Sequence, residues 1–170
     1  VMGTEALLRW MHPVRGNIPP NDFIPLAENT GLIQGLTRYV LEMVCAQMAE
    51  WDRIEAQFAH LPVAVNLSAR NLLEPDFGEV LEDILASHLI ESDRLELEVT
   101  ESALIEDPVR SHQMLHKIAA LGVTLAVDDF GTGYTSMSQL EQMPLSTLKI
   151  DRSFTRRLAD DPAGATLVKA

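Results

Sequence analysis

Hydrophobic and polar positions along the chain repeat with two different periods. Five stretches alternate at every second residue. In "TEALLRW" (Thr4 to Trp10), Ala6, Leu8 and Trp10 oppose Glu5, Leu7 and Arg9. In "PVAVNLS", Val63, Val65 and Leu67 oppose Ala64, Asn66 and Ser68. In "RLELEVTES", Leu95, Leu97 and Val99 oppose Glu96, Glu98 and Thr100. In "VTLAVDD", Val123, Leu125 and Val127 oppose Thr124, Ala126 and Asp128, and in "STLKIDRSF" Leu148 and Ile150 oppose Thr147, Lys149 and Asp151. Such alternation predicts strands. Elsewhere the period is helical. Leu36, Val40, Met43, Val44 and Trp51 recur at helix spacing, as do the apolar residues of "FGEVLEDILASHL". Asp107 followed by Pro108 predicts a capped helix start, and Gly122 its end. "HPVRGNIPP" is expected to be a loop, followed by a short helix capped by Asn21 and ended by Gly31. "YTSMSQLEQM" is expected to be a loop and short helix, with a last helix starting near Pro162. Strand–helix alternation at this spacing implies βαβ units and a mostly parallel sheet.

The second face of each strand carries the next signal. A doubly wound open sheet is apolar on both faces. Here one face per strand is small or polar, and these faces collect Glu5, Arg9, Asn66, Glu98, Asp128 and Lys149. That pattern fits the inside of a barrel near its mouth. The C-terminal ends of parallel barrel strands are where chemistry is built.

Composition limits the partners. The 170 residues are 46% hydrophobic, enough for a core, and carry a net charge of −12. Such an acidic chain does not suit the backbone of a nucleic-acid polymer, though local cations can still hold a small anion. The single cysteine, Cys45, lies in the helical run "YVLEMVCAQM" and reads as core packing. It permits no internal disulfide, which suits a reducing, cytoplasmic compartment. No apolar run reaches membrane-spanning length, and "VMGTEALLRW" is not a signal peptide.

Adjacent aspartates, Asp128 and Asp129, end one strand before the glycine loop "FGTG". Two unit charges 4 Å apart repel by roughly 4 kcal/mol at an effective dielectric of 20. Glu5, Glu98 and Asp128 would converge from three strands with Asp129 beside them, so either some are protonated or a divalent cation sits among them. Carboxylates and the Asn66 amide select hard ions: magnesium, manganese or calcium. Two such ions roughly 3.5–4 Å apart clamp the attacking and leaving oxygens of a phosphoester displacement. Lys149 and Arg9 add positive charge for an anionic substrate. Taken singly, each residue has a plainer reading: Asp-Asp-before-Gly is usually a turn, Glu98 could pair with a lysine, and Arg9 could be a surface cation. The functional case rests on their joint phase. His112 and His116 are four apart on a helix but lack the glutamate of a HExxH motif, so a solvated face is the simpler reading.

The segments "EALLRW", "IPPNDFIPLAENTGLI", "VNLSARNL", "LELEVTES", "VDDFGTGYTSMSQL" and "LKIDRSF" resemble, in order and spacing, the EAL-domain family of cyclic di-GMP phosphodiesterases. The resemblance covers nearly all of residues 1–170, read as one EAL phosphodiesterase domain. It implies a modified (β/α)8 TIM-type barrel, of which about five strand–helix units are present, and hydrolysis of cyclic di-GMP to linear pGpG with magnesium or manganese in bacterial second-messenger signalling. By position, Glu5, Asn66, Glu98 and Asp128 resemble the family's metal ligands, with Asp128 bridging and Asp129 serving a second ion. Lys149 resembles the catalytic lysine at the attacking water, Arg9 the phosphate-contacting arginine, and Glu101 the glutamate that holds the DDFGTG loop. The catalytic group implied is thus Lys149, Glu5 and Asp128.

The resemblance further implies a homodimer contact near that loop and fused sensory or GGDEF-type domains, and leaves open a membrane anchor carried by such other domains. The family's barrel also has an earlier strand and later strands with a further glutamate and glutamine. The 170-residue piece alone is therefore expected to be inactive. The sequence is also compatible with two other functions: a non-catalytic cyclic di-GMP receptor or regulatory dimerisation module, and an enolase-type barrel, which also uses strand-end acids with a lysine base.

Overall fold

Five strands pair side by side, all parallel. They are β1 (Thr4–Ala6), β4 (Val63–Leu67), β5 (Leu95–Thr100), β6 (Thr124–Phe130) and β7 (Thr147–Ile150), in the order β1-β4-β5-β6-β7. This computed structural model describes residues 3–54, 58, 60–131 and 140–152. Most of the expected loop and short helix "YTSMSQLEQM", and the expected last helix near Pro162, lie outside them. Each crossover among β4, β5 and β6 is helical, and each is right for parallel strands, which a tight turn cannot join. The helices are α1 (Pro20–Thr30), α2 (Ile33–Ile54), α3 (Ala69–Leu72), α4 (Phe77–His88), α5 (Glu101–Glu106) and α6 (Pro108–Ala120). The sheet with its helical layer is the arc of a TIM-like barrel.

Strand phase decides where the core sits. Val65, Leu95, Leu97, Val99, Leu125 and Val127 are fully buried against Leu41, Cys45 and Met48 of α2, Phe77 and Leu81 of α4, and Leu115 and Ile118 of α6. Burying one such side chain contributes about 1.5–3 kcal/mol. Cys45 is thus core, and burial pushes its thiol up to about 11. The Leu148 and Ile150 side of β7 stays exposed among the described residues.

The helix ends follow their sequence signals with one exception. Gly31 closes α1 at φ 76°, and Asp107 caps α6, its Oδ1 accepting from the Arg110 amide at 3.1 Å. Asn21 does not cap α1: Pro19 occupies that position without a side-chain bond, and Pro20 opens the helix. Proline at the first helical position has no amide to be capped, so the helix starts two residues earlier than expected.

The first strand also differs from expectation. It ends at Ala6, paired with Val65, and does not run to Trp10. The expected loop instead contains a hairpin, in which β2 (Trp10–His12) pairs antiparallel with β3 (Gly16–Ile18). His12 Nδ1 accepts from the Val14 and Arg15 amides at 3.1 and 3.2 Å, and Gly16 takes φ 72° to close the turn. Trp10 packs edge-on to Phe23 of α1, with centroids 5.5 Å apart. This local pairing and packing draws residues 10–18 away from the sheet. Among the described residues, no helix is long and apolar enough to cross a membrane.

Candidate active site

Parallel pairing sets the functional side chains level with one another. Glu5 pairs in register with Ala64, Asn66 with Glu98, and Thr100 with Asp128. All therefore stand near the C-terminal ends of their strands. The Asn66 amide donates to Glu5 Oε1 at 2.8 Å. Lys149, from the edge strand β7, donates to Glu98 Oε1. Glu98 is buried, while Lys149 is about a third exposed.

The electrostatics follow from this placement. Burial raises the Glu98 carboxyl above its ordinary range; Lys149 pulls it back, and the charges of Glu5 and Asp128 push it up again. Burial works to lower the Lys149 ammonium, but its bond to Glu98 and the charges of Glu98, Asp128 and Glu5 outweigh it, so its pKa lies above the usual lysine value. Partial desolvation, then Asp128 and Asp151, raise the Asp129 carboxyl. Asp129 sits at φ 54°, and its amide donates to Asp128 Oδ1 at 2.9 Å. A left-handed non-glycine residue costs about 1–3 kcal/mol and clusters at functional sites. Glu101, buried at the start of α5, accepts from the Gly131 amide through Oε2 at 2.9 Å, joining that helix to the end of β6.

The donor set tests whether a hard cation suits this site. Glu98 Oε2 is buried with no hydrogen-bond partner among the described residues. Such an atom costs about 1–3 kcal/mol unless something offsets it. The neighbouring donors are carboxylate and amide oxygens, the chemistry of magnesium and manganese sites. The residues fit such an ion chemically. They are arranged here as two pairs, Glu5–Asn66 and Glu98–Lys149, and among the described residues no three acids, histidines or cysteines close to metal-holding distance.

A cleft of about 480 Å³ opens beside these pairs. Arg9, Asn66, Ser68, Glu98 and Glu28 are among its lining residues. Arg9 reaches it from beyond the end of β1, not from the strand face expected, and its Nη1 donates to the Leu8 carbonyl at 3.0 Å. Glu28 of α1 and Ser68, the α3 cap, were not expected there; the Ser68 hydroxyl donates to Glu28 Oε1 at 2.6 Å. Strand alternation carries no signal for a helical residue such as Glu28.

Comparison with known proteins agrees with this fold. A family model described as EAL domain matches residues 1–170. The chain is 43% identical over its whole length to the Pseudomonas aeruginosa bifunctional diguanylate cyclase/cyclic di-GMP phosphodiesterase MucR, covering 24% of that protein. It is 40% identical to the Escherichia coli cyclic di-GMP phosphodiesterase PdeR, again over its whole length and 25% of PdeR. A solved structure of the PaMucR phosphodiesterase in complex with c-di-GMP superposes with a TM-score of 0.87 at 43% identity, over 98% of this chain and 67% of that one. The chain thus spans about a quarter of the length of these curated relatives. With a five-stranded parallel arc, acids and a lysine at its strand ends, and a family match over every residue, this chain belongs to the EAL domain family.

Proposed function

We propose that this chain forms the catalytic face of a phosphodiesterase that hydrolyses cyclic di-GMP to linear pGpG with magnesium or manganese. The observation that carries the reading is the buried Glu98 Oε2, without a hydrogen-bond partner among the described residues, in the field of Glu5, Asp128 and Lys149. The names of MucR and PdeR support the substrate. Glu5, Asn66, Glu98 and Asp128 would hold the cation, with Asp129 serving a second. Bound there, two ions would supply positive charge to the attacking and leaving oxygens of the phosphodiester.

The chain's own residues do the rest. Arg9, lining the cleft, meets a substrate phosphate. Lys149 faces the same strand ends and orients the attacking water against the phosphate. Glu101 holds Gly131, and with it the start of the loop after Asp129. Fused cyclase-type or sensory domains, and a homodimer contact near that loop, belong to the same proposal.

One observation favours a second reading, a receptor that binds cyclic di-GMP without cleaving it: the acids stand as two pairs and not as one closed metal-holding group. The test is to strip metal from the protein that carries this chain, restore Mn²⁺, and follow pGpG by chromatography. The phosphodiesterase reading expects turnover only after Mn²⁺ returns. Binding with no pGpG at any Mn²⁺ concentration establishes the receptor.

A further inference from the structure

The histidine pair on α6 stands at the surface, with His116 exposed and His112 half-buried, and its two rings are in contact. His112 and His116 lie one turn apart, beside the stripe formed by Ser111, Leu115 and Ile118 that α6 buries. His112 Nε2 stands 3.3 Å from His116 Nε2 and 2.9 Å from the carbonyl oxygen of Gln142. His112 Nε2 thus has two electronegative neighbours, a second imidazole nitrogen and a main-chain carbonyl oxygen.

A proton serves this geometry poorly. A neutral imidazole carries one N–H and one lone pair, on different nitrogens. With its proton on Nε2, His112 donates to the carbonyl and offers His116 only a split, weakened bond. With the proton on Nδ1, it accepts from His116 and loses the carbonyl. A cation can take both Nε2 lone pairs at once and the carbonyl oxygen as well. The spacing suits one: two metal–nitrogen bonds of about 2.0–2.1 Å at the tetrahedral angle set their nitrogens about 3.3–3.4 Å apart. A small rotation of χ2, which is soft in histidine, aims both rings at the ion.

We infer that His112, His116 and the Gln142 carbonyl form a binding site for a borderline divalent d-block ion of the zinc, nickel or copper class. Imidazole nitrogens prefer these ions, whereas the strand-end carboxylates prefer magnesium or manganese. The two sites are chemically separate. The ion would tie α6, which leads into β6 and its Asp128, to the segment that leads into β7 and its Lys149. It would act as a clip between the two strands that carry the central acid and the lysine.

The experiment uses untagged protein stripped with chelator and then titrated calorimetrically with Zn²⁺ alone, with Ni²⁺ in parallel. His112→Gln and His116→Gln are compared, each first checked for unchanged circular dichroism. The site predicts one Zn²⁺ equivalent in the wild type, weakened by about tenfold or more in either variant, since losing even an outer-shell partner of a metal ligand costs that much. It predicts a rise in Tm with Zn²⁺ that both variants lack. It also predicts that Asp128→Asn keeps the Zn²⁺ equivalent, and that Cu²⁺ shows a two-nitrogen hyperfine pattern. Equal Zn²⁺ binding by wild type and both histidine variants overturns the site. So does loss of the Zn²⁺ equivalent in Asp128→Asn, which would assign it to the strand-end acids.

Discussion

Replacing Lys149 by methionine removes the cation from a buried carboxylate while keeping most of the side-chain volume. Glu98 is fully buried, so the change leaves its charge facing Glu5 and Asp128 without a counter-ion. Breaking a buried ion pair costs about 3–5 kcal/mol, and an exposed pair contributes about 0–1. Lys149 is 35% exposed, so water screens part of the interaction and an intermediate loss of about 2 kcal/mol follows. The cost must depend on pH. Glu98 has a raised pKa in the folded state, so folding is favoured while the group is protonated and loses that advantage as pH rises through the folded pKa. Lys149→Met should therefore destabilise more at pH 7 than at pH 4.5. Glu98→Gln should restore most of the loss in the double variant, because the orphan charge is gone. Urea unfolding in chelator, run as a double-mutant cycle at both pH values, reads the coupling directly. A Lys149→Met cost below about 0.5 kcal/mol, the range of ordinary surface substitutions, would refute the argument. So would a double variant no more stable than the single one.

Three further outcomes are expected. Leu125→Ala, at a fully buried position near the start of β6, should cost about 2–5 kcal/mol in denaturant unfolding; a loss under 1 kcal/mol would mean the core is not packed as described. The Cys45 thiol, raised to about 11, should react with a disulfide reagent at pH 8 only after denaturation, and its contribution to stability should persist below pH 9 and fade as pH rises through about 11; rapid native labelling would contradict its burial. Glu101→Ala should remove the acceptor for the Gly131 amide, lowering cyclic di-GMP turnover and quickening proteolysis near Gly131 with little loss of Tm; unchanged turnover and proteolysis would leave Glu101 no part in holding the loop.

What the sequence made legible follows from strand physics. Val63 to Leu67, Leu95 to Thr100 and Thr124 to Asp128 alternate because neighbouring strands pair in register, and a one-residue slip would expose every core side chain. The same alternation placed Glu5, Asn66, Glu98, Asp128 and Lys149 on one face. It misled at "TEALLRW", where the pattern continues through Leu7 to Arg9 after pairing has stopped at Ala6. The hairpin of Trp10–His12 with Gly16–Ile18 has strands of three residues, too short for a period to show. The Glu28–Ser68 contact spans forty residues between a helix and a cap, and local patterns do not record such meetings. The spacing of His112 and His116 was visible, but the Gln142 carbonyl was not, because a main-chain atom has no letter in the sequence.

The central claim is that the strand-end group built on Glu98 is a phosphodiester-cleaving centre. The most direct measurement is single-turnover conversion of cyclic di-GMP to pGpG in Mn²⁺ by the protein that carries this chain, wild type against Glu98→Gln. The substitution keeps shape and removes the charge. The expected loss in the cleavage rate is about a hundredfold or more, the scale seen when one electrostatic element of a catalytic site is removed. Cyclic di-GMP binding should persist. Cleavage by Glu98→Gln at the wild-type rate would contradict the account.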